Sequence, residues 1–207
     1  QTILPKEIVV VDDGSTDDPE SVAKEFNVRF IRFNVNRGAS AARNHGFQMT
    51  TAPYVMFLDA DVELRPNALE HLTTKLEAHP EADVAYPNFY WGAKLFLAAL
   101  WDIAELRKRN YIHTSALIRR TAFPGFDERV KKFQDWDLWL TMATRGSRGI
   151  WINDALYRIE PRRNGMSVWL PRIAYKLPWP IFGWVPKEIK KYREAERVIR
   201  EKHLLSS

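Results

Sequence analysis

Residues 54–61, Tyr-Val-Met-Phe-Leu-Asp-Ala-Asp, constrain this chain more than any other stretch. Five apolar or aromatic residues end abruptly in two carboxylates separated by one alanine, with Pro53 in front. A run this short, aromatic and β-branched predicts a buried strand of a sheet covered on both faces. Such a strand delivers Asp59 and Asp61 to the sheet edge, where open α/β sheets bind ligands. Two carboxylates one residue apart can converge on one hard divalent cation and leave sites for water and phosphate oxygens. The same side chains can instead serve a turn, accepting local backbone hydrogen bonds and capping the next helix. A calcium loop is set aside. Asp59, Asp61, Glu63 and Glu70 have ligand-like offsets, but Leu64 stands where that loop needs glycine, and a strand precedes it.

The remaining runs repeat the theme. Glu7-Ile8-Val9-Val10-Val11-Asp12-Asp13 is a second apolar strand ending in carboxylates, followed by loop chemistry at 14–18. Asp18 and Pro19 read as N-cap and first helical position of a short helix to about residue 26. Strands are expected at 28–33, 54–59, 82–90, 111–118 and 150–159, and helices at 39–49, 66–79, 93–108 and 133–144. Strand and helix alternating at this spacing predict βαβ units and a mostly parallel sheet flanked by helices.

At 207 residues, 45% hydrophobic and 28% charged, the chain has the size and composition of one soluble globular domain with a real core, or one plus an appendage. With no cysteine, disulfide frameworks and thiolate metal sites are excluded. No N-x-S/T sequon or signal-peptide pattern is present, which points to the cytoplasm. The net charge of +5 is unevenly placed. Beyond residue 160, eleven Lys/Arg face four Glu, a net of +7, leaving twenty Lys/Arg against twenty-two Asp/Glu, or −2, before it. The boundary separates a body over 1–160 from a basic, Trp/Pro-rich extension over 161–207. In the extension, Trp169, Trp179 and Trp184 stand among prolines, Arg172 and Lys176, before a charged helix over 187–203. So many prolines exclude a membrane-spanning helix. The tryptophans and the cations of the helix instead suit contact with an anionic membrane surface across 168–203, or packing on the body.

The order of motifs resembles the family-2-like glycosyltransferases of the GT-A fold. The matching pieces are EIVVVDDGSTDD at 7–18, NRGASAARNHGF at 36–47, YVMFLDAD at 54–61, and SALIRR with GFDERVKKFQDWDLWL across 115–140. The resemblance implies an inverting transfer of a sugar from a nucleotide-diphosphate donor to a glycan, lipid-linked or protein acceptor, with no nucleic-acid partner. It places Asp12 or Asp13 near the nucleobase or ribose, and Arg37 and Arg43 in the donor-binding turn and helix. Asp59 and Asp61 would hold Mg²⁺ or Mn²⁺ against the diphosphate. Asp135 is similar to the family's general base, and direct displacement does need a carboxylate on the acceptor side and a cation on the leaving group.

Each residue also has a plainer use. One of Asp12 and Asp13 can serve its turn, Arg43 can be a surface helix residue, and Asp135 can partner a helix dipole. Trp136 and Trp139 read as core, and His113 as structural or acceptor-facing rather than a ligand. Two departures from the family pattern stand out. Relatives carry an additional strand and helix ahead of the piece resembling residues 1–5, so an unpaired sheet edge is expected here. Many relatives also have glutamate where this chain has Gln134. A nucleotide- or partner-binding domain without catalysis is the alternative to the enzyme.

Overall fold

The computed structural model describes residues 1–160 and 185–205. Strands β1 (Val9–Asp12) and β2 (Arg29–Arg32) pair in parallel, with helix α1 (Pro19–Ala23) between them. The Asp18 carboxylate accepts from the Ser21 amide, and Pro19 opens α1, as the sequence leads one to expect. Helix α2 (Ala39–Gln48) has no side-chain cap of its own, because its N-cap is Gly38 at φ 95°. That left-handed conformation suits a residue without Cβ.

The remaining strands form one six-stranded sheet. They are β3 (Tyr54–Met56), β4 (Val62–Leu64), β5 (Val84–Trp91), β6 (Lys94–Phe96), β7 (Leu117–Arg119) and β8 (Gly149–Ile159). The order is β3-β7-β5-β8-β4, with β6 alongside β5. Helices α3 (Ala68–Glu77), α4 (Ile103–Lys108), α5 (Gln134–Thr144) and α6 (Lys187–Lys202) complete the described elements. The α/β architecture holds, but the pairing is mixed rather than mostly parallel. In the large sheet only β5 and β8 run parallel, and the other four pairings are antiparallel.

Three expected elements are shorter than the apolar runs that suggested them. The strand over 54–59 stops at Met56, where its partner β7 also ends, since Met56 faces Leu117. The expected strand over 111–118 shrinks to β7. Upstream of it, Asn110 takes the Ile112 amide and the His113 Nδ1 takes the Ser115 amide, withdrawing donors a ladder needs. The helical reading of 93–108 fails over its first half. Residues 94–96 pair with β5, Phe96 stacks on Phe89 at 5.2 Å, and the Asn88 carboxamide takes the Ala98 amide. Only at Asp102, whose carboxylate accepts from Ala104 at 2.7 Å, does a helix begin.

The main core lies where α4 and α5 cover β5 and β7, with Phe57, Phe123 and Phe126 at its rim. Trp136 and Trp139 are buried in it, as expected, and donate from their indoles to the Leu106 and Ile112 carbonyls at 2.6 and 2.8 Å. These bonds bolt α5 to α4 and to the segment that follows it. A second cluster joins Leu72 and Leu76 of α3 to Ala85, Leu117, Ile152 and Leu156 on the opposite face.

The basic helix α6 belongs to the main core. Ile189 and Ile199 have no exposed surface, and Tyr192 meets Phe133 edge-on at 5.1 Å. The tryptophan-rich part of the expected extension, 161–184, lies outside the described residues. Among the described residues, no helix is long and apolar enough to cross a membrane.

Among the described residues β1 pairs only with β2 and β3 only with β7, so each presents an open edge. Side chains rather than a ladder hold the two sheets together. Glu7 accepts from the amides of Thr51 and Ala52, and Arg29 donates to the Met49 carbonyl at 2.8 Å.

Candidate active site

Arg43 ties the candidate residues into one constellation. It sits on α2 with its side chain 13% exposed, and its two terminal nitrogens diverge. One donates to Asp59 Oδ1 at 2.6 Å and the other to Gln134 Oε1 at 2.8 Å. The guanidinium also lies over the Phe126 ring. A planar, permanently charged fork suits such a bridge. It joins the turn after β3 to the first residue of α5, which are 75 positions apart in sequence.

Asp59 comes to this point because the chain leaves the sheet after Met56. Phe57 turns into a cluster with Phe123 and Phe126, at 4.9 and 5.0 Å, and anchors the turn from below. Asp59 remains accessible, with 42% of its side chain exposed. Asp61 follows two residues later, and its carboxylate makes no hydrogen bond or ion pair among the described residues. Its backbone carbonyl accepts from Glu160, fixing the turn against the end of β8.

Asp135 is held differently. Its Oδ1 accepts from the Trp136 amide at 2.9 Å and its Oδ2 from the Asn110 carboxamide at 2.7 Å. Burial pushes the Asp135 carboxyl above the usual carboxylate range, against the opposing pull of those two donors and of Arg43. The residue just before α5, Phe133, adopts φ 58°. A left-handed aromatic residue stores backbone strain, about 1–3 kcal/mol in comparable cases. Its ring is clasped by Trp136 and Tyr192, which offset that strain.

Two further side chains close the floor. Tyr157 of β8 is buried, and its hydroxyl is pushed well above its usual range by burial, with Asp135 and Asp59 adding to the effect. His113 is drawn down to about 4 by burial, which outweighs the attraction of Asp59, so it is neutral at ordinary pH. Its ring lies 5.6 Å from that of Tyr157.

Behind α5, Asp137 is buried and receives Lys202 at 2.8 Å and His203 at 2.7 Å, both from the end of α6. Lys202 also reaches Asp127 at 2.7 Å. Asp127 is held well below the usual carboxylate range, first by Arg129 and then by Lys202.

Among the described residues, the other expected donor residues share no hydrogen bond or ion pair with Arg43, Asp59 or Asp135. Asp13 accepts from the amides of Arg37 and Gly38 at 2.7 and 2.8 Å, so its carboxylate terminates the turn into α2. Asp12 is buried, accepts from the Ser15 amide, and lies 3.1 Å from Arg32 Nε as an ion pair without hydrogen-bond alignment. Contacts with Ser15 hold its pKa down despite burial. Arg37 is exposed, with its guanidinium over the Phe33 ring at 4.7 Å. Among the described residues, no three His, Asp or Glu side chains gather to hold a metal ion. Asp59 and Asp61 offer the hard oxygen donors that Mg²⁺ or Mn²⁺ prefers, and such a pair suffices only where substrate phosphates complete the shell.

Motif reading did not reach Asn110, Tyr157 or the pairing of Lys202 and His203 with Asp137. Gln134 stood out only as a departure. None of these residues belongs to a short motif whose partner lies nearby in sequence, so no local signal pointed to them.

The fold and the cleft define a GT-A-type α/β domain. Among solved structures, S. aureus TarS (residues 1–349) in complex with UDP-GlcNAc superposes with a TM-score of 0.66 at 19% identity, covering 84% of this chain and 56% of that one. The family model described as glycosyl transferase family 2 matches residues 1–127, and the chain belongs to that family. Curated relatives include the uncharacterized glycosyltransferase YibD of Escherichia coli, 40% identical over 96 residues, or 44% of this chain and 27% of YibD. The putative glycosyltransferase EpsE of Bacillus subtilis is 25% identical over 172 residues, 74% of this chain and 62% of EpsE. The chain thus spans from about a quarter to under two thirds of these two relatives' lengths.

Proposed function

We propose that this chain carries the donor-binding and catalytic portion of an inverting glycosyltransferase. One observation carries the reading: Arg43 ties Asp59, on an open turn, to the start of the helix that presents Asp135. A displacement at an anomeric carbon needs a leaving-group side and a base side, and these two carboxylates supply one each. The TarS structures solved with UDP and with UDP-GlcNAc support a nucleotide-sugar donor.

In this reading the acceptor hydroxyl approaches Asp135. As its oxygen attacks the anomeric carbon, its proton passes to Asp135 Oδ, and the bond from that carbon to the diphosphate oxygen breaks. The raised pKa of Asp135 makes it a stronger base than an exposed carboxylate. Asn110 and the Trp136 amide fix the direction of its oxygens. Arg43 lies beside Asp59, where its charge favours the departing diphosphate. Asp59 and Asp61 are the residues that would hold Mg²⁺ or Mn²⁺, which when bound supplies positive charge to the leaving diphosphate.

UDP or GDP is expected to raise the melting temperature far more with Mn²⁺ than with EDTA, and Asp61→Ala to abolish the difference. An equal rise in chelator removes the metal from the reading.

Peripheral membrane contact through 168–203 belongs to the same proposal. Lys187, Lys190, Lys191 and Arg197 of α6 are exposed beside the face that packs on the core. Each such cation near an anionic leaflet is worth about 1 kcal/mol. Co-sedimentation with anionic vesicles at low salt, released as salt rises, is the expected result. A protein that stays in the supernatant at low salt overturns it.

A further inference from the structure

Among the described residues, His113 and Tyr157 are titratable groups on the floor of the cleft to which the reaction above gives no task, and His113 is the one with a free ring nitrogen. Its ring is pinned on three sides: Phe89 at 5.1 Å, Tyr157 at 5.6 Å, and the Ser115 amide, which donates to Nδ1 at 3.2 Å. A backbone N–H can only donate, so Nδ1 carries the lone pair and the proton of the neutral ring sits on Nε2. Among the described residues Nε2 has no hydrogen-bond partner, and the residue keeps part of its surface exposed. A protonated Nε2 cannot ligate a cation, which separates His113 from the metal-binding role of Asp59 and Asp61.

The location of this donor says what it meets. Asp59 and Arg43 are the charges that reach the His113 ring, and its neighbour Tyr157 senses both Asp59 and Asp135. Three residues upstream on the same segment, Asn110 donates to Asp135 at 2.7 Å, so His113 has the base side on its own segment and the leaving-group carboxylate as a neighbouring charge. In a single displacement, only the transferred sugar lies between those two sides. Sugar hydroxyls accept hydrogen bonds from neutral donors. A site built to pair a hydroxyl discriminates against analogues lacking it, because its own polar group is otherwise left unpaired.

We infer that His113 donates from Nε2 to a hydroxyl oxygen of the transferred sugar and helps to select which sugar is accepted. This deepens the glycosyltransferase reading and rests on it.

The experiment compares two ligands that differ only in the sugar. Isothermal titration with Mn²⁺ uses whichever of UDP-GlcNAc, UDP-glucose, UDP-galactose and GDP-mannose the wild type binds most tightly, alongside the matching nucleoside diphosphate. His113→Asn keeps an oxygen for the Ser115 amide but withdraws the donor at the Nε2 position. It is expected to weaken the nucleotide sugar about five- to tenfold while leaving the nucleoside diphosphate within about twofold. His113→Gln, whose amide nitrogen reaches the Nε2 position, is expected to recover most of that loss. Should the Asn variant fail to fold, His113→Phe preserves the ring contacts and makes the same comparison. Equal weakening of both ligands, no weakening of either, or failure of Gln to restore sugar binding where Asn loses it each overturns the assignment of His113. A wild type that binds none of the nucleotide sugars overturns the glycosyltransferase reading as well, so the two failures are told apart.

Discussion

Asp59 and Asp135 face one cleft, yet they are built on opposite plans. Asp59 stands on a turn beyond the end of a three-residue strand, and its partner is a single side chain, Arg43. Asp135 stands in the first turn of a helix bolted by two indole hydrogen bonds and backed by α6, and is gripped by an amide on each oxygen. The contrast follows from what each would do. A carboxylate that takes part in binding and releasing a charged ligand works best exposed and exchangeable, since a fully satisfied one would have to surrender partners each cycle. A base must be aimed and partly desolvated before its substrate arrives, and burial supplies both.

The sharpest way to break this division is to remove the charge of the half-buried member, Asp135. Asp135→Asn is expected to lower turnover by roughly 10²–10⁴-fold while leaving nucleoside diphosphate affinity near wild type. Loss of donor affinity on the same scale would show that the two carboxylates do not divide the work. A smaller effect is expected from cutting the link between them. Arg43→Met removes a charged hydrogen bond to Asp59 and should weaken nucleoside diphosphate binding by roughly tenfold or more. Unchanged affinity with a lowered melting temperature would make Arg43 a brace and nothing else.

The smallest effect sharpens the comparison through pH. Asn110 pulls the Asp135 pKa down, so Asn110→Ala should move it further up and carry the acid limb of the pH–rate profile to higher pH. The same change should cost about 1 kcal/mol of stability through the lost hydrogen bond. A stability signature accompanies the raised pKa. In the unfolded chain Asp135 ionises in the ordinary range, and in the folded protein only above it. The wild type therefore loses stability as pH rises from that range through the folded pKa. The melting temperature of Asp135→Asn relative to wild type should climb across the same window. A difference that is flat with pH would mean that burial does not raise this carboxyl.

Much of this cleft was legible because its main carboxylates close short, local patterns. Asp59 ends an apolar run, and Asp135 opens an amphipathic helix whose tryptophans read as core. What held them was less legible. The Asn110 amide reaches Asp135 across 25 positions, and Arg43 reaches Gln134 across 91. No periodicity encodes a meeting of that kind. Strand lengths were overread for a related reason: the apolar content of Phe57 and of 111–116 is real, but it is spent on packing against Phe123, Phe126 and α5, while side chains such as Asn110 and His113 take backbone donors from the ladder. The acidic pair at 12–13 shows the reverse case, a motif that is plainly visible whose carboxylates are already engaged by their own loop and by the entry to α2.

The open edges of β1 and β3 have a consequence for motion. No backbone hydrogen bond joins β1 or β2 themselves to the larger sheet among the described residues; the segment before them is tied by Gln1 and Thr2 to 65–70, and Glu7 and Arg29 bond to 49–52. Such a unit can open on its own, at a free energy well below that of global unfolding. The amides of Val10, Val11 and Ile31 should then exchange with solvent deuterium long before those of Val84 and Ala85, which lie at the centre of the large sheet. The lobe bearing Asp12 and Asp13 would breathe while the helix that presents Asp135 stays still.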